Sequence, residues 1–411
     1  MDSIGIRIVT DPTPGLLALS FIAGGIVLGT ISGLLPGLHV NTLAILLATV
    51  SSTVPGAPHL IGAAMIAAGV VHSFLDIVPA LAIGVPDAAM AVSALPGHRL
   101  VLSGRGHEAL RISAFGSGGA VLTALVLGLP VTLLMERLAP ILIDHIGLVL
   151  GVVTTVLIAT ESDALAKLGG IVSVLSSGAL GFLTLDIHAQ GLIQGGDVLL
   201  PLLSGLFGIP ILIHAARGQG PPPQTGSTLA MTPLRLVLWS FVGAFSGAIV
   251  AYIPGVSAAV AATMAFVVVP THTGSRSFIA AVSGVNTANT VFALYALLAL
   301  GAPRTGVLVA FERAKLPPNL PLLLATILIA AAVAFVLVPV LGDRYLMAVE
   351  RIDNTRLSIG VLVLLVVLVG VFTGRTGIAI LGVATLVGLV PMYFQSRRVH
   401  LMGVLFVPIV V

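Results

Sequence analysis

The stretch 16–38, LLALSFIAGGIVLGTISGLLPGL, is a long apolar run with a Pro-Gly pair near its end. About 20 apolar residues are enough for a helix to cross the hydrocarbon core of a bilayer. Proline removes a helical hydrogen bond and glycine loosens the backbone, so the pair Pro36-Gly37 predicts a break. Because another apolar segment follows at 39–54, we expect this break to lie inside the membrane.

The same pattern recurs in residues 234–256, LRLVLWSFVGAFSGAIVAYIPGV, at an offset of 218 (254 − 36). Paired helix breaks at matching positions of two halves are typical of transporters and point to their binding site. The sequence therefore predicts two structural repeats, at 15–214 and 232–411, joined by a polar linker at 215–231. Three other landmarks recur in the same order: Gly84-Val85-Pro86 with Gly301-Ala302-Pro303, Glu136-Arg137-Leu138 with Glu350-Arg351-Ile352, and Leu203-x-Gly205-x4-Pro210 with Leu401-x-Gly403-x4-Pro408.

The amino-acid composition indicates a membrane protein. Hydrophobic residues make up 57% of the 411-residue chain and charged residues only 8%, whereas soluble domains carry about 25% charged residues. The apolar runs are long and do not alternate with a period of two, so they predict helices and not a β-barrel. We therefore expect an all-α, polytopic integral membrane bundle with broken or re-entrant helices, located in the cell membrane.

The apolar segments predict how the chain crosses the membrane. Shorter apolar pieces are predicted to be half-helices or re-entrant hairpins, because a helix of about 13 residues reaches only about 20 Å. These pieces lie at 39–54, 87–97, 198–214, 256–270 and 399–411. Full spans are predicted at 15–35, 59–84, 111–134, 142–160, 164–185, 232–253, 277–302, 318–341, 357–373 and 376–394.

Charge and motif patterns exclude several classes of function. The net charge is +3 and the basic residues are scattered, so no nucleic-acid partner is predicted. The absence of cysteine excludes disulfides and thiolate metal sites. The sequence has no His-Glu-x2-His, P-loop or Gly-x-Ser-x-Gly motif, which argues against an enzyme and against ATP-driven transport by this chain alone. No catalytic residue, metal ion or organic cofactor is predicted.

The two Pro-Gly breaks form the predicted substrate-binding site. A helix that begins just after a break presents free N–H groups and the positive end of its dipole, which favour a carboxylate or phosphate. Hydroxyl, amide and imidazole side chains next to the breaks add hydrogen-bond donors. An ordinary helix kink with Gly-x3-Gly packing is the alternative. The predicted residues are Pro36, Gly37, His39, Asn41, Thr42, Pro254, Gly255 and Ser257.

A second polar cluster lies at matching positions of two apolar segments, 60–85 and 277–302. His72 and Asp76 are four residues apart and therefore share one helical face. Ionisable residues at membrane depth are costly and face a cavity or a partner, so the cluster predicts coupling to a proton or Na⁺. A polar clasp between helices is the alternative. The predicted ion-coupling residues are His72, Ser73, Asp76, Asn286, Asn289 and Thr290.

These features favour a secondary active transporter with alternating access. Two other classes stay open. One is a non-transporting membrane subunit that acts as a scaffold, and the other is an intramembrane enzyme that uses His72 and Asp76 as acid and base. The Gly-x3-Gly pairs are also compatible with a homo-oligomer.

Several motifs resemble the TctA family, the large membrane subunit of the tripartite tricarboxylate transporters. The resemblance is clearest over 20–120 and 240–305. This chain is similar to a short, divergent member, because Gly37-Leu38-His39-Val40 replaces the usual Gly-Leu-Gly-Pro continuation. The motifs are Gly29-x3-Gly33-x2-Pro36-Gly37-Leu38, Ile83-Gly84-Val85-Pro86, Leu95-Pro96-Gly97 and Gly104-Arg105-Gly106-His107-Glu108-Ala109-Leu110.

The resemblance implies an ion-coupled permease for small organic anions such as di- or tricarboxylates. It further implies two partners that bacterial systems of this family use. One is an extracytoplasmic binding protein and the other is a small membrane subunit.

Overall fold

The computed structural model describes residues 12–36, 38, 40–51, 53–84, 94–193, 198–216, 221–226, 228–253, 258, 261–262, 274–301, 303 and 305–410. Within these ranges the chain forms helices and no strand, which confirms the predicted all-α class. The helices are α1 (Thr13–Leu34), α2 (Val40–Ser51), α3 (Pro58–Leu75), α4 (Ile77–Ile83), α5 (Ala94–Leu102), α6 (Gly106–Asp144), α7 (Ile146–Ala159), α8 (Ala164–Thr184), α9 (Leu199–Leu203), α10 (Ile209–Ala215), α11 (Pro233–Tyr252), α12 (Gly274–Leu300), α13 (Gly306–Arg313), α14 (Leu320–Arg351), α15 (Asn354–Gly388), α16 (Val390–Tyr393) and α17 (Gly403–Val410). A π turn, Ser204–Gly208, joins α9 to α10, and a 3-10 turn, Arg398–Met402, precedes α17.

Counted over the described residues, eight helical segments are long and apolar enough to cross a membrane. They are formed by α1, by α3 with α4, by α6, α8, α11, α12 and α14, and by α15 with α16. Leucine, valine and isoleucine side chains on these helices stand exposed in large numbers, for example Leu122, Leu234 and Leu386. Such a surface needs lipid around it, so the chain is a multi-pass membrane protein.

Two of the eight segments form the centre of the bundle. The segments can be compared over their most apolar 18 residues. In α3–α4 all of these residues are buried, and in α12 94% of them are buried. The other six segments are half buried or less by the same measure. Helices that face protein on all sides can carry polar residues without exposing them to lipid, which is why the predicted polar cluster lies on these two.

The α3–α4 segment is interrupted at Asp76, where α3 ends and α4 begins. The backbone N–H of Asp76 still bonds to the carbonyl of His72 at 2.9 Å. Pro79 has no N–H, so it cannot supply the helical hydrogen bond that the carbonyl of Leu75 would otherwise accept. The proline thus explains the break and leaves α4 as a short helix that ends at Gly84, whose φ of +71° favours glycine.

The Gly-x3-Gly pairs bring helices into close contact in both halves of the chain. Helix α1 packs on α3, where Gly25 and Gly29 lie against the carbonyl oxygens of Ala64 and Ala68. Helix α11 packs on α12 through the matching glycines. There Gly243 and Gly247 lie against the carbonyl oxygens of Ala281 and Val285. Small residues let two membrane helices approach this closely, as predicted for such pairs.

The helices pack mainly in two groups. The core group contains α1–α6 and α11–α14, and the flanking group contains α7–α10 and α15–α17. In the flanking group, α17 lies on α8, with Val404 against Gly181, while the π turn lies on α15, with Leu206 against Gly388. Each group therefore takes helices from both predicted repeats, and neither group ends at the linker.

The structure corrects several predicted spans and matches one predicted break. The segment 142–160, predicted as a full span, forms only the 14-residue α7, and the span predicted to end at 341 continues to Arg351 in α14. The break expected between 134 and 142 is wrong, because α6 continues for 39 residues through Pro130 and Pro140. Membrane helices tolerate proline when neighbouring groups satisfy the freed carbonyls. The break predicted between 373 and 376 coincides with Gly374, whose non-helical φ of 62° and ψ of −152° interrupt α15.

The described part of the predicted linker is held by hydrogen bonds. The backbone N–H groups of Thr225 and Gly226 both donate to the carbonyl of Gly104, at 3.1 and 3.0 Å. The side-chain oxygen of Gln224 accepts from the N–H of Gly106 at 2.7 Å, and its amide nitrogen donates to the carbonyl of Val101. These bonds fasten the linker to the turn between α5 and α6.

Candidate functional site

The polar residues of the two central helices meet at the junction of α3 and α4. Asn286 on α12 donates hydrogen bonds from Nδ2 to Oδ2 of Asp76 at 2.7 Å and to the carbonyl of Ser73 at 3.1 Å. All three residues are buried. Residues that are 210 positions apart in sequence thus form one contact.

The carbonyl of Ser73, three residues before the interruption at Asp76, also accepts from the side chain of Asn286. A buried carboxylate is costly unless donors surround it, and the amide of Asn286 supplies one.

His72 points towards a different helix. Its Nδ1 lies 3.0 Å from Oγ of Ser32 on α1, and the ring is only 1% exposed. The hydrogen bonds of His72 and Asp76 therefore connect the end of α3 to α1 and α12 respectively. Ser73 takes part mainly through its carbonyl, since its hydroxyl donates to the carbonyl of Val70 at 2.8 Å.

Asn289 and Thr290 lie one turn further along α12. Thr290 is buried and Asn289 is partly exposed. Among the described residues, neither takes part in the hydrogen bonds between Asp76 and Asn286. Their proposed role in ion coupling stays a prediction.

Three serines that the sequence analysis did not select extend the polar site to α6. Thr287 Oγ1 lies 2.9 Å from Oγ of Ser117, and Ser113 Oγ lies 2.8 Å from Oγ of Ser283. Ser117 also donates to the carbonyl of Ser283 at 3.1 Å. The available signal was the spacing, because Ser113 with Ser117 and Ser283 with Thr287 are four residues apart and share a helix face.

The predicted substrate-binding residues are only partly within the described ranges. Pro36 is buried just beyond the end of α1, and α2 begins at Val40, which agrees with a helix start near His39. Asn41 and Thr42 lie in the first turn of α2, and their side chains are outside the description. The remaining predicted residues, Gly37, His39, Pro254, Gly255 and Ser257, also lie outside it.

The loop motif that resembles the TctA family forms an ionic anchor. Glu108, in the first turn of α6, is fully buried and accepts two hydrogen bonds from Arg276 on α12, at 2.8 and 3.0 Å. It also pairs with Arg105 and accepts from the backbone N–H of Ala230 at 2.7 Å. One carboxylate thus joins α6, α12 and the segment that leads into α11.

A second buried carboxylate, Glu161 between α7 and α8, anchors the chain near its 3-10 turn. Its Oε1 accepts from the backbone N–H and from Nε of Arg397, at 3.0 and 2.9 Å, and lies 2.6 Å from Nε2 of His400. Burial alone would raise the pKa of Glu161, but these hydrogen bonds outweigh it and lower that pKa below its ordinary value. Glu161 is therefore ionised at neutral pH.

A metal centre has no support in the part of the chain that the structure describes. No three His, Asp or Glu side chains there cluster in a way that could hold a metal ion. The contact around Asp76 and Ser73 contains a single carboxylate.

Comparison with known proteins identifies the family to which the chain belongs. It is 25% identical over 405 residues to an uncharacterized protein of Methanocaldococcus jannaschii, a match that covers 96% of this chain and 98% of the relative. No solved structure matches the chain. The family model described as the tripartite tricarboxylate transporter TctA family matches residues 19–403. Because this match spans nearly the whole chain, the protein belongs to the tripartite tricarboxylate transporter TctA family.

Proposed function

We propose that this chain is an ion-coupled secondary transporter for small organic anions, such as di- or tricarboxylates, in the cell membrane. The contact between Asp76 and Asn286 at the centre of the bundle carries the proposal. Family membership supports a role as a tricarboxylate transporter component. A carboxylate on a broken, buried helix is the kind of group that secondary transporters use to couple ions to substrate.

The ion-coupling role is assigned to the cluster around Asp76. Its carboxylate can take up a proton, or it can share a Na⁺ with the carbonyl of Ser73 and nearby hydroxyls. Either event would neutralise a buried charge and weaken the contact with Asn286, which joins α3–α4 to α12. The cluster comprises His72, Ser73, Asp76, Asn286, Asn289 and Thr290.

The substrate-binding role is assigned to the paired helix breaks that follow α1 and α11. A carboxylate at the N-terminus of α2 would meet backbone N–H groups and the positive end of the helix dipole. The proposed residues are Pro36, Gly37, His39, Asn41, Thr42, Pro254, Gly255 and Ser257.

Alternating access is supported by the way the helices pack. The matching glycine contacts of α1 with α3 and of α11 with α12 are what two structural repeats would produce. The core and flanking groups provide two bodies of helices, and movement of one against the other could open the site to either side. The proposed repeats are 15–214 and 232–411.

The proposed partners follow from the family. An extracytoplasmic binding protein would deliver the anion, and a small membrane subunit would complete the transporter. A homo-oligomer is also compatible with the glycine-lined helix faces. Co-purification from the native membrane, followed by identification of bound chains, tests all three.

Uptake into liposomes tests the proposed function. The purified chain is reconstituted, and uptake of labelled citrate and succinate is measured with an imposed proton or Na⁺ gradient. We expect gradient-dependent uptake by the wild type and its loss in Asp76→Asn, since asparagine cannot titrate. Asp144→Asn is the matched control, because Asp144 is exposed at the end of α6.

Two outcomes would contradict the proposal. Gradient-dependent uptake by Asp76→Asn at the wild-type rate would remove Asp76 from ion coupling. The absence of uptake by the wild type, both alone and with its co-purified partners, would favour the scaffold role.

A further inference from the structure

A groove with a volume of about 450 Å³ lies between α6, α11 and α14 of the core group. Its walls include the exposed side chains of Leu122, Val237 and Leu328, so the groove opens onto the lipid-facing surface. Two hydroxyls line it, and both are used within their own helices: Thr123 donates to the carbonyl of Gly119 at 2.8 Å, and Ser240 donates to that of Leu236 at 2.8 Å. The lining therefore favours an apolar ligand.

Glycine keeps the α6 side of this groove free of side chains. A Cβ at Gly118 would lie 3.0 Å from the ring of Phe335, and a Cβ at Gly119 would lie 2.9 Å from Ser240. Phe335 also packs edge to face on Phe115, with the ring centroids 5.2 Å apart. The space between the three helices thus results from small residues at fixed positions.

The dimensions of the groove decide between a lipid chain and a partner helix. On α6 it extends from Phe115 to Thr123, eight residues that correspond to about 12 Å of helix. A volume of about 450 Å³ over that length gives a mean cross-section of about 37 Å² (450/12). A helix with its side chains is about 10 Å wide and needs about 80 Å². The groove is too narrow for a helix, whereas a single extended acyl chain can enter it.

The seam between α6 and α14 continues from the groove to a polar end. Leu110 lies against Gly342, and Gly118 lies against Phe335, so the two helices run antiparallel. No charged residue occurs in 112–135 of α6 or in 320–342 of α14. Arg111 and Asp343, which precede and follow these apolar stretches, therefore mark the same boundary of the membrane.

Arg111 has hydrogen-bonding capacity left at this boundary. It donates to the carbonyl of His107 at 2.8 Å and to Oδ2 of Asp343 at 3.2 Å, while Oδ1 of Asp343 lies 2.5 Å from Nδ1 of His107. A guanidinium has five N–H donors, and these bonds use two. The side chain of Arg111 is 31% exposed. Arg111 also precedes Phe115 by four residues, so both lie on one face of α6.

The distance from Arg111 to the far end of the groove matches one leaflet of a bilayer. Twelve residues of α6 separate Arg111 from Thr123, which corresponds to about 18 Å. Half of the hydrocarbon core is about 15 Å thick. A lipid whose headgroup lies at Arg111 can therefore place one acyl chain along the whole groove.

We propose that this groove binds one acyl chain of a phospholipid and that Arg111 binds its phosphate. The inference goes beyond the proposed transport function, since it assigns a lipid site on the outer surface of the core group. Guanidinium groups form strong, charge-assisted hydrogen bonds with phosphate oxygens. Helix α6 comes from the first predicted repeat, and α11 and α14 come from the second, so the bound chain joins both halves.

Lipid titration of the purified chain in detergent, followed by native mass spectrometry, tests the inference. The probe is dioleoyl phosphatidylethanolamine, and dioleoylglycerol, which has the same chains without the phosphate, is the comparison. We expect the wild type to bind one phospholipid more tightly than the others. The first dioleoylglycerol should bind at least about tenfold more weakly, which corresponds to about 1.4 kcal/mol.

Two variants on opposite walls fill the groove. Ala332→Trp places an indole on the α14 wall, and Val237→Trp places one on the α11 wall. We expect each to weaken the first phospholipid at least about tenfold. Ala379→Trp adds the same side chain at an exposed position of α15 outside the groove, so its affinity should equal that of the wild type. Unfolding temperatures without added lipid show whether each variant is folded.

Replacement of Arg111 tests the headgroup contact. Arg111→Gln should bind the phospholipid as weakly as the wild type binds dioleoylglycerol, and Arg111→Lys, which keeps the charge, should be intermediate. Equal affinities of the wild type for phospholipid and dioleoylglycerol would remove Arg111 from the site.

Two further results would overturn the inference. One is an equal phospholipid affinity in Ala332→Trp, Val237→Trp and Ala379→Trp. The other is loss of a co-purifying protein chain in both groove variants without any change in phospholipid affinity, which would make the groove a protein interface. None of these measurements requires transport, so their failure leaves the proposed function standing, and failure of uptake leaves the lipid site standing.

Discussion

The amide nitrogen of Asn286 lies 2.7 Å from Oδ2 of Asp76, and this hydrogen bond joins the two most buried helical segments of the bundle. The contact lies at the junction of α3 and α4, where Asp76 separates the two helices. It places a buried carboxylate, with an amide donor as its partner, between α3–α4 and α12.

Replacement of Asn286 should destabilise the protein, because the buried carboxylate of Asp76 loses a hydrogen-bond donor. Asn286→Ala leaves the carboxylate without its amide donor, so we expect a loss of about 1.5–3 kcal/mol of stability, typical for hydrogen bonds to charged groups. Unfolding of the purified variant in detergent measures the loss. Asn289→Ala, one turn away and outside these hydrogen bonds, is the control and should unfold like the wild type. Equal stability of both variants would show that the contact contributes little.

The ionic anchor at Glu108 should stabilise the junction of the two halves. Its carboxylate is fully buried and bonded to Arg276, so Glu108→Gln leaves a partly buried guanidinium without its counter-charge. We expect a loss of about 3–5 kcal/mol, as is typical when one partner of a buried pair is removed. Glu312→Gln, which neutralises an exposed carboxylate of α13, should have no effect.

A double-mutant cycle tests whether the loss of stability in Glu108→Gln comes from its ion pair with Arg276. Arg276→Gln combined with Glu108→Gln should be less destabilised than the sum of the two single variants, because the removal of both charges leaves neither unpaired. Strict additivity would show that Glu108 acts through Arg105 or Ala230 and not through Arg276.

The glycines between helices should not tolerate even a methyl group. A Cβ at Gly25 or Gly243 would collide with the carbonyl oxygen of Ala64 or Ala281, and a backbone atom cannot rotate away. We expect Gly25→Ala and Gly243→Ala each to cost about 1–3 kcal/mol, the range for overpacked sites. Fluorescence-detected size-exclusion chromatography after heating measures the change.

The neighbouring glycine provides the matched control for this prediction. Gly24 has open space where its Cβ would lie, so Gly24→Ala should be neutral or slightly stabilising. A loss of stability in Gly24→Ala equal to that in Gly25→Ala would show that glycine acts through helix flexibility and not through packing.

The contact of Glu161 with Arg397 should make stability depend on pH in a predictable direction. The pKa of Glu161 is lower in the folded state than its ordinary value of 4.5, so its contribution is fully present above that value. The contribution is lost as the pH falls through the folded-state pKa. We expect Glu161→Gln to be less stable than the wild type at pH 7. The gap should narrow below about pH 4.5.

Unfolding temperatures measured across a pH series check this expectation. A gap between Glu161→Gln and the wild type that stays constant down to pH 3 would show that Glu161 stabilises by packing alone. Glu312→Gln serves again as the exposed control.

Part of the candidate site was predictable because helix spacing and membrane depth are local properties. His72 and Asp76 stood out as ionisable residues in an apolar segment, and Asn286 stood out in the polar cluster of the matching segment, one turn before Asn289, which matches His72 (72 + 217). Ser113, Ser117 and Ser283 were missed because serine is common in membrane helices, where its hydroxyl can bond to its own helix. Their role becomes visible only when α6 and α12 lie side by side.

The sequence alone also could not separate the roles of two charged residues, Arg397 and Arg398. In sequence, Arg397 and Arg398 are adjacent and equivalent. Only the folded chain brings Glu161 to Arg397, with which it forms an ion pair.

The sequence by itself determined that the chain is a helical membrane protein and where most of its described helices begin and end, and it shows Pro-Gly pairs at matching positions of two apolar segments. These properties depend on hydropathy and on backbone chemistry within about 20 neighbouring residues. Only the tertiary structure decided that α6 runs unbroken through two prolines, that both halves contribute to each helix group, and that Asp76 meets Asn286. Those outcomes depend on contacts between residues that are distant in the chain, where the packing of whole helices outweighs any local preference.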